Sequence, residues 1–346
     1  MPAPRVVFTQ RLNSLWRMKL EPLRRAFPGI ELLELTPSAR ADGGAGSTDV
    51  GSAEVADADV LVGGSVFPEM LEAARRLRAV IVPFTGVNSL PLEELRRRGI
   101  RVANSHGNAR SVAERSLALL LAFFGRVCSF DADLRRGTWH GFAAGESVRE
   151  SWESLEGKRA AILGTGAIGT EAAGLLRPFG VAVTGFRRSA SAGPEVFERV
   201  VASLTAAVEG ADIVVVALPA TAATEGLLDA DALRTMKGAV LVNVGRGAIV
   251  DEEALFLALK EGTLRGACID TWFRYPGEGG EGGESGEKTP PSRFPFHELD
   301  NVIMSPHVGG YTSQAVERSV EEAVDNLRHF LDTGELRNEI DLSAGY

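Results

Sequence analysis

Cysteine is nearly absent: the 346 residues hold two, Cys128 and Cys268. Both stand in apolar stretches, and we read them as buried, reduced thiols rather than as a redox or catalytic pair. Basic runs are absent as well. Lys and Arg number 37 against 46 Asp and Glu, a net charge of −9, and no cluster is built to grip phosphodiesters. That excludes nucleic acid as the expected partner. Long apolar runs are missing. The longest candidate, Leu117 to Phe124, falls far short of the roughly 20 residues a membrane-spanning helix needs. Met1-Pro2-Ala3-Pro4-Arg5 leads into an apolar run too short for a signal peptide. The expectation is a cytoplasmic protein with no membrane partner.

What is present is apolar residues, 45% of the chain, enough for two packed cores of about 150 residues each. Short β-branched runs alternate with longer helical segments, the pattern of parallel sheets covered by helices. A first α/β unit has predicted strands at 6–8, 30–35, 60–62, 80–82 and 101–103. Helices are expected over 12–26, 69–76 and 92–98. Residues 38–52 are rich in Gly, Ser, Ala and Asp and read as a surface loop. From Ser111 to Cys128 the chain is apolar on nearly all sides, so a helix there must be buried between domains or between subunits. A second unit has predicted strands at 160–163, 181–186, 213–218, 239–244, 266–269 and 302–304. Residues 277–293 are mostly Gly, Glu, Ser and Pro and read as a mobile loop, either a lid or an insertion without a role. The last helix is expected over 313–331. Trp139 and His140 read as packing residues, and His106 as a turn histidine or a neighbour of the site.

Gly164-Thr165-Gly166-Ala167-Ile168-Gly169 follows a predicted strand and opens a predicted helix. In that setting the spacing is a dinucleotide fingerprint. The first glycine permits the tight turn, the second lets a pyrophosphate approach the backbone, and the third lets helix and strand pack closely. Free N–H groups at the helix start would face the phosphates. About 20 residues on, a carboxylate would bind the ribose 2′-hydroxyl of NAD. None is present there: the run is Phe186-Arg187-Arg188-Ser189, with Arg187 18 residues past Gly169. Two guanidiniums and a hydroxyl suit a 2′-phosphate. We therefore expect NADP to be preferred, with NAD possible; a solvated arginine pair is the alternative.

Later motifs fit one family. Val242-Asn243-Val244-Gly245-Arg246-Gly247 and Ser305-Pro306-His307-Val308-Gly309-Gly310 each close a predicted strand. With Leu218-Pro219-Ala220-Thr221-Ala222-Ala223-Thr224, Gly266-Ala267-Cys268-Ile269-Asp270, and Asn104 to Glu114, the chain from about 80 to 335 resembles the D-isomer-specific 2-hydroxyacid dehydrogenases. The resemblance implies an α/β fold of two doubly wound domains, a Rossmann cofactor domain at 108–308 and a flavodoxin-like substrate domain from 1–107 with 309–346. It implies hydride transfer between NAD(P)H and a small 2-oxo or 2-hydroxy acid, glyoxylate or hydroxypyruvate being a guess from the arginine pair. Arg246 would hold the substrate carboxylate and polarise its carbonyl, and His307 would donate or accept the proton. Gly86 and Val87 would anchor the carboxylate through their N–H groups. Asp270 would bind the nicotinamide end, with Pro219, Thr224, His307 and Gly309 among the cofactor contacts. A homodimer through helix 111–128 is the expected assembly. One position departs from the family pattern: Tyr275 stands where a Glu usually pairs with the histidine. Three readings stay open: a less basic His307, a reaction without a proton relay as in the formate dehydrogenases, or weak catalysis. A dinucleotide-binding sensor or co-regulator is the alternative function.

Overall fold

The computed structural model describes residues 3–35, 52–148, 151–189, 193–276 and 288–346. The loop expected at 38–52 lies outside these residues apart from its final position, and so does most of that at 277–293. The chain divides into two compact units. One holds Met1–Asn108 and Tyr311–Tyr346, the other Ala109–Tyr275 and Thr289–Gly310.

The first unit carries strands β1 (Arg5–Phe8), β2 (Glu31–Glu34), β3 (Val60–Val62), β4 (Ala79–Ile81) and β5 (Arg101–Ala103). They form one parallel sheet in the order β2-β1-β3-β4-β5, the flavodoxin-like order. Its helices are α1 (Ser14–Ala26), α2 (Ser52–Ala56), α3 (Pro68–Ala73) and α4 (Leu92–Arg97), joined from the far end of the chain by a long helix, Ser313–Thr333. Strands covered on both faces read as continuous apolar runs rather than alternating ones; β3 and β4 are buried throughout. On one face Phe8, Trp16, Leu20 and Leu23 pack with Val324, Leu327 and Phe330 of the C-terminal helix. Asn13 starts α1 by accepting from the Trp16 N–H, a capping geometry that satisfies an otherwise orphaned donor.

The second unit begins with α5 (Ala109–Phe124) and α6 (Val127–Arg135), then β6 (Arg159–Leu163), α7 (Ala167–Leu176), β7 (Ala182–Phe186), β8 (Arg199–Val201), α8 (Leu204–Val208), β9 (Ile213–Val216), α9 (Ala230–Thr235), β10 (Val240–Asn243), α10 (Glu252–Lys260), β11 (Gly266–Ile269) and β12 (Val302–Met304); the C-terminal helix is α11. Seven parallel strands run β12-β11-β10-β9-β6-β7-β8. That is the Rossmann order with one strand added beyond β11, and the order reverses between β6 and β9. β9, β10 and β11 are fully buried. Strand β8 was not foreseen; it is three residues at the sheet edge, too short to show periodicity.

The helix expected over 111–128 ends at Phe124, because Arg126 takes a left-handed backbone conformation (φ 51°) and restarts the chain as α6. Its buried residues, among them Val112, Leu119, Leu120 and Phe124, join Ala172, Leu176 and Val242 in one core. Phe123 lies so close over Gly266 that a Cβ there would stand 2.3 Å from its ring. Burial of α5 is thus achieved inside its own unit. The exposed apolar surface lies at Leu121 and after the helix, at Val127, Leu134, Trp139 and Phe142. Two expectations are corrected here. Trp139 is 62% exposed, not packed. Cys128 is exposed while Cys268 is buried, because Cys128 falls on α6, which buries no side chain.

Candidate active site

The second unit builds its site on the carboxyl edge of its parallel sheet. β6 leads into Gly164, whose φ of +106° and whose closeness to the Ala217 carbonyl, 2.6 Å from a would-be Cβ, exclude a side chain. Gly169 is equally closed: a Cβ would sit 1.9 Å from the Gly164 oxygen. Gly166, the N-cap of α7, differs. A Cβ there would meet nothing within 4 Å, so the open space lies in front of the helix N-terminus. No side chain caps that end and no acidic residue occupies the first turn of α7. The N–H groups and the helix dipole are thus presented to an anion. Thr165, Ala167 and Ile168 complete the turn. These residues fit a dinucleotide pyrophosphate.

At the end of β7, Arg187 is half-buried and Arg188 and Ser189 are exposed. The Arg187 N–H donates to the Val201 carbonyl at 3.1 Å, which ties this edge to β8. Beyond β9 the turn from Pro219 to Thr224 is self-bonded. Thr224 Oγ1 donates to the Pro219 carbonyl at 2.6 Å and accepts from the Thr221 N–H at 2.8 Å.

Arg246 follows β10. Asn243 shapes the turn: its Oδ1 accepts from the Gly245 N–H at 3.1 Å and its Nδ2 donates to the Arg246 carbonyl at 3.0 Å. A Cβ on Gly247 would stand 2.1 Å from the Trp272 carbonyl, so the backbone after Arg246 presses on the chain after β11. Arg246 is half-buried, and burial pushes its pKa down from the usual arginine value, with Tyr275 opposing.

His307 follows β12 with φ +55°. For a residue other than glycine that conformation costs about 1–2 kcal/mol, so the turn must be held from outside. Asp270, 1% exposed, does the holding. Its Oδ1 accepts from the Val308 N–H at 3.1 Å and from the Ser305 hydroxyl; its Oδ2 accepts from the Gly309 N–H at 2.9 Å. Both oxygens of Asp270 therefore engage the turn that carries His307. His307 as a residue is exposed. Partial desolvation, then the Arg246 charge, hold its pKa below the usual histidine value, and Asp270 pulls the other way. Tyr275 packs its ring against the imidazole, with centroids 5.3 Å apart and planes tilted by 53°. Its hydroxyl accepts from the Trp272 N–H at 2.9 Å.

Gly86 and Val87 belong to the first unit, in the turn after β4. Val87 is buried and its carbonyl accepts from the Leu90 N–H at 3.0 Å. Thr85 Oγ1 braces the turn on the Ser105 carbonyl at 3.1 Å and on Asn108 Oδ1 at 2.7 Å. His106 donates its backbone N–H to Glu322 of α11 at 2.6 Å.

Residues 117–309 match the family described as D-isomer specific 2-hydroxyacid dehydrogenase, NAD binding domain. The chain belongs to this family. It is 33% identical to the D-3-phosphoglycerate dehydrogenase of Haemophilus influenzae over 268 residues, covering 77% of this chain and 62% of that protein. A glyoxylate reductase of Thermococcus kodakarensis is 33% identical over 288 residues, 80% of this chain and 81% of that one. The match to the D-3-phosphoglycerate dehydrogenases spans from half to about three-fifths of their length. Among solved structures, the NADPH-dependent glyoxylate/hydroxypyruvate reductase of Sinorhizobium meliloti superposes with a TM-score of 0.74 at 26% identity, covering 98% of both chains. The PH0520 protein of Pyrococcus horikoshii gives 0.78 at 28%, covering 98% of this chain and 95% of its own. Family membership fixes the α/β architecture and a nicotinamide dinucleotide as the cofactor.

Three polar residues beside His307 escaped sequence reasoning: Arg115, Ser305 and Trp272. Trp272 Nε1 donates to the Ser305 carbonyl at 2.8 Å. No local signal singled out Arg115, since the same helix also carries Arg110 and Glu114.

Proposed function

We propose that this protein is an NAD(P)-dependent D-2-hydroxyacid dehydrogenase acting on a small 2-oxo or 2-hydroxy acid. Residues 108–308 would serve as the dinucleotide domain and 1–107 with 309–346 as the substrate domain. The carrying observation is the grouping of Arg246, Tyr275 and His307 after β10, β11 and β12, on the same sheet edge as the open glycine turn after β6. The dinucleotide, when bound, supplies or takes the hydride. Gly164 to Gly169 would hold its pyrophosphate, with Pro219, Thr224 and Gly309 lining the rest. Arg246 offers a planar fork of donors to the substrate carboxylate and a positive charge beside the carbonyl oxygen, where negative charge grows during reduction. Gly86 and Val87 supply N–H groups to the carboxylate. His307 gives the carbonyl oxygen its proton in reduction and takes it back in oxidation. Tyr275 has no charge near pH 7, so it orients the ring without raising its basicity. Asp270 acts through the turn that it holds.

NADP is the cofactor we favour, because the end of β7 offers Arg187, Arg188 and Ser189 and no carboxylate. The Sinorhizobium enzyme, by its description, is NADPH-dependent, which supports the reading. Glyoxylate and hydroxypyruvate are the first substrates to try. We also propose a cytoplasmic homodimer. Its contact surface would extend from α5 onto the exposed Val127, Leu134, Trp139 and Phe142, the last 96% exposed. Among the described residues no helix is long and apolar enough to cross a membrane. A dinucleotide sensor with little turnover is the second reading, favoured by the phenol at 275 alone.

The test is absorbance at 340 nm with NADPH or NADH and a panel of glyoxylate, hydroxypyruvate, pyruvate and bulkier 2-oxo acids. Oxidation with any acid establishes the activity. Tight NADPH binding by calorimetry with no turnover on the whole panel assigns the sensor role instead.

A further inference from the structure

Ser305, two residues before His307, is fixed at every polar atom. Its N–H donates to the Ile269 carbonyl at 2.8 Å and its carbonyl accepts from Trp272 Nε1 at 2.8 Å. Its hydroxyl donates to Asp270 Oδ1. The same oxygen accepts twice from one guanidinium, Arg115 Nη2 at 2.8 Å and Nε at 3.2 Å. Arg115 sits in the second turn of α5, a helix whose buried residues include Val112, Leu119, Leu120 and Phe124. A buried carboxylate is costly unless compensated, and Arg115 supplies a positive charge to Asp270 through a single hydroxyl. The crowding is specific. A Cβ on Gly309 would stand 2.9 Å from Asp270 Oδ2 and 3.6 Å from Arg115 Cβ, so the turn closes down on both partners.

We propose that Arg115 is a positioning residue for His307. It acts through Ser305 and Asp270 to keep the histidine turn in its left-handed conformation and the imidazole beside Tyr275 and Arg246. Arg115 does not itself touch substrate. The chain of contacts runs from the guanidinium to the Ser305 hydroxyl, then to the Asp270 carboxylate, then to the N–H groups of Val308 and Gly309 on the far side of His307. The charged and titratable groups around the imidazole are Arg246, Asp270 and Tyr275. Arg115 alters the effect of Asp270 and leaves the other two in place.

The inference rests on the proposed acid–base role of His307, so turnover of wild type and of His307→Gln with NADPH and a 2-oxo acid is measured first, and the loss in the variant judges that role alone. Arg115→Met, Arg115→Lys, Ser305→Ala and the Arg115→Met/Ser305→Ala double variant are then compared. Each of Arg115→Met and Ser305→Ala should lower kcat by about 10- to 100-fold, the usual cost of removing a group that orients a functional side chain, with KM for NADPH within about twofold. The double variant should lose no more than the worse single one, since both break one chain of contacts. Arg115→Lys should recover part of the loss. The His307 imidazole, titrated by NMR, should move upward in Arg115→Met, because Asp270 then faces it with less of its charge compensated. This readout needs no turnover and stands even if the wild type is inactive on the panel. If Arg115→Met fails to fold, Arg115→Lys carries the test: a lower kcat than wild type supports the role, and wild-type kcat with an unmoved imidazole overturns it. Losses that multiply in the double variant, or an imidazole titration identical to wild type in Arg115→Met, also overturn it.

Discussion

At the scale of single residues, the group packed against His307 is Tyr275, and the proposed chemistry makes that position a test of the pH dependence. His307 has its pKa lowered by partial desolvation and by Arg246. With His307 as the proposed proton donor, kcat/KM for reduction should fall as pH rises through a value below the usual histidine pKa of about 6.5. Replacing Tyr275 by Glu adds a negative charge and should shift that fall to higher pH. An unmoved pH–rate profile in Tyr275→Glu would show that this position does not tune His307. The glycine turn gives a second contrast. In Gly166→Val the new side chain enters open space, so thermal stability should hold while NADPH affinity drops by about tenfold or more, as its pyrophosphate meets the added carbons. In Gly169→Ala the Cβ strikes the Gly164 carbonyl, so the protein itself should lose about 1–3 kcal/mol to strain, measured by denaturant unfolding. These glycines are legible in the sequence because spacing in a strand–turn–helix dictates them. The grip of Asp270 on the turn is not, because a hydrogen bond from β11 to residues 35 and more positions away leaves no local pattern.

At the scale of elements, the segment after α5 is held by one histidine. His140 Nε2 lies 2.8 Å from Asp133 Oδ2 and Nδ1 lies 3.0 Å from Glu146 Oε1, and the ring stacks on Phe130 with centroids 4.6 Å apart. Asp133 first, then Glu146, raise the His140 pKa; His140 in return lowers that of Asp133, and the Gly141 N–H foremost, with His140 assisting, lowers that of Glu146. A histidine raised on folding contributes stability below its unfolded pKa and loses it as pH rises through the folded value. The lowered carboxylates contribute above their unfolded values and lose it in acid. The clip should therefore be tightest between the carboxylate range and about pH 6.5. Hydrogen exchange over 127–146 should quicken as pH rises past the raised His140 value, after correction for the intrinsic rate. His140→Ala should abolish that pH dependence. Sequence reading placed a helix through this stretch correctly as far as Phe124. It could not see the left-handed Arg126 that ends it, since tertiary packing against α7 sets where the apolar face is used up.

At the scale of the molecule, Glu153 joins distant parts of the second unit. It accepts from Lys158 Nζ at 2.9 Å and from Arg265 Nη1 at 2.8 Å, and its backbone N–H donates to the Phe124 carbonyl. The Arg265 hydrogen bond foremost, with Lys158 assisting, lowers its pKa to about 2. A depressed carboxylate contributes stability above its unfolded pKa and loses it as pH falls toward the folded value. Glu153→Gln should thus lower the Tm near neutral pH, and its deficit against wild type should shrink as pH falls from about 4.5 to 2; a deficit that does not change with pH would remove Glu153 from the balance. Assembly is the second question at this scale. Light scattering at micromolar concentration should report a dimer, and Phe142→Glu should shift it to monomer if the exposed residues after α5 form the contact.

By itself the sequence determined the alternation of strands and helices, the glycine turn, the missing carboxylate after β7 and the order of the motifs around Arg246, Asp270, Tyr275 and His307. These are local signals, carried by residues a few positions apart, and local physics decides them: backbone freedom, pattern period and helix ends. Tertiary structure alone decided that Arg115, Ser305 and Asp270 meet, that Tyr275 packs its tilted ring against His307, that Trp139 and Cys128 are exposed, and that α5 is buried within its own unit. Those outcomes depend on which strand lies beside which in a parallel sheet. There the contacts join residues tens to nearly two hundred positions apart, and the energy of burial, not the neighbouring sequence, selects the partner.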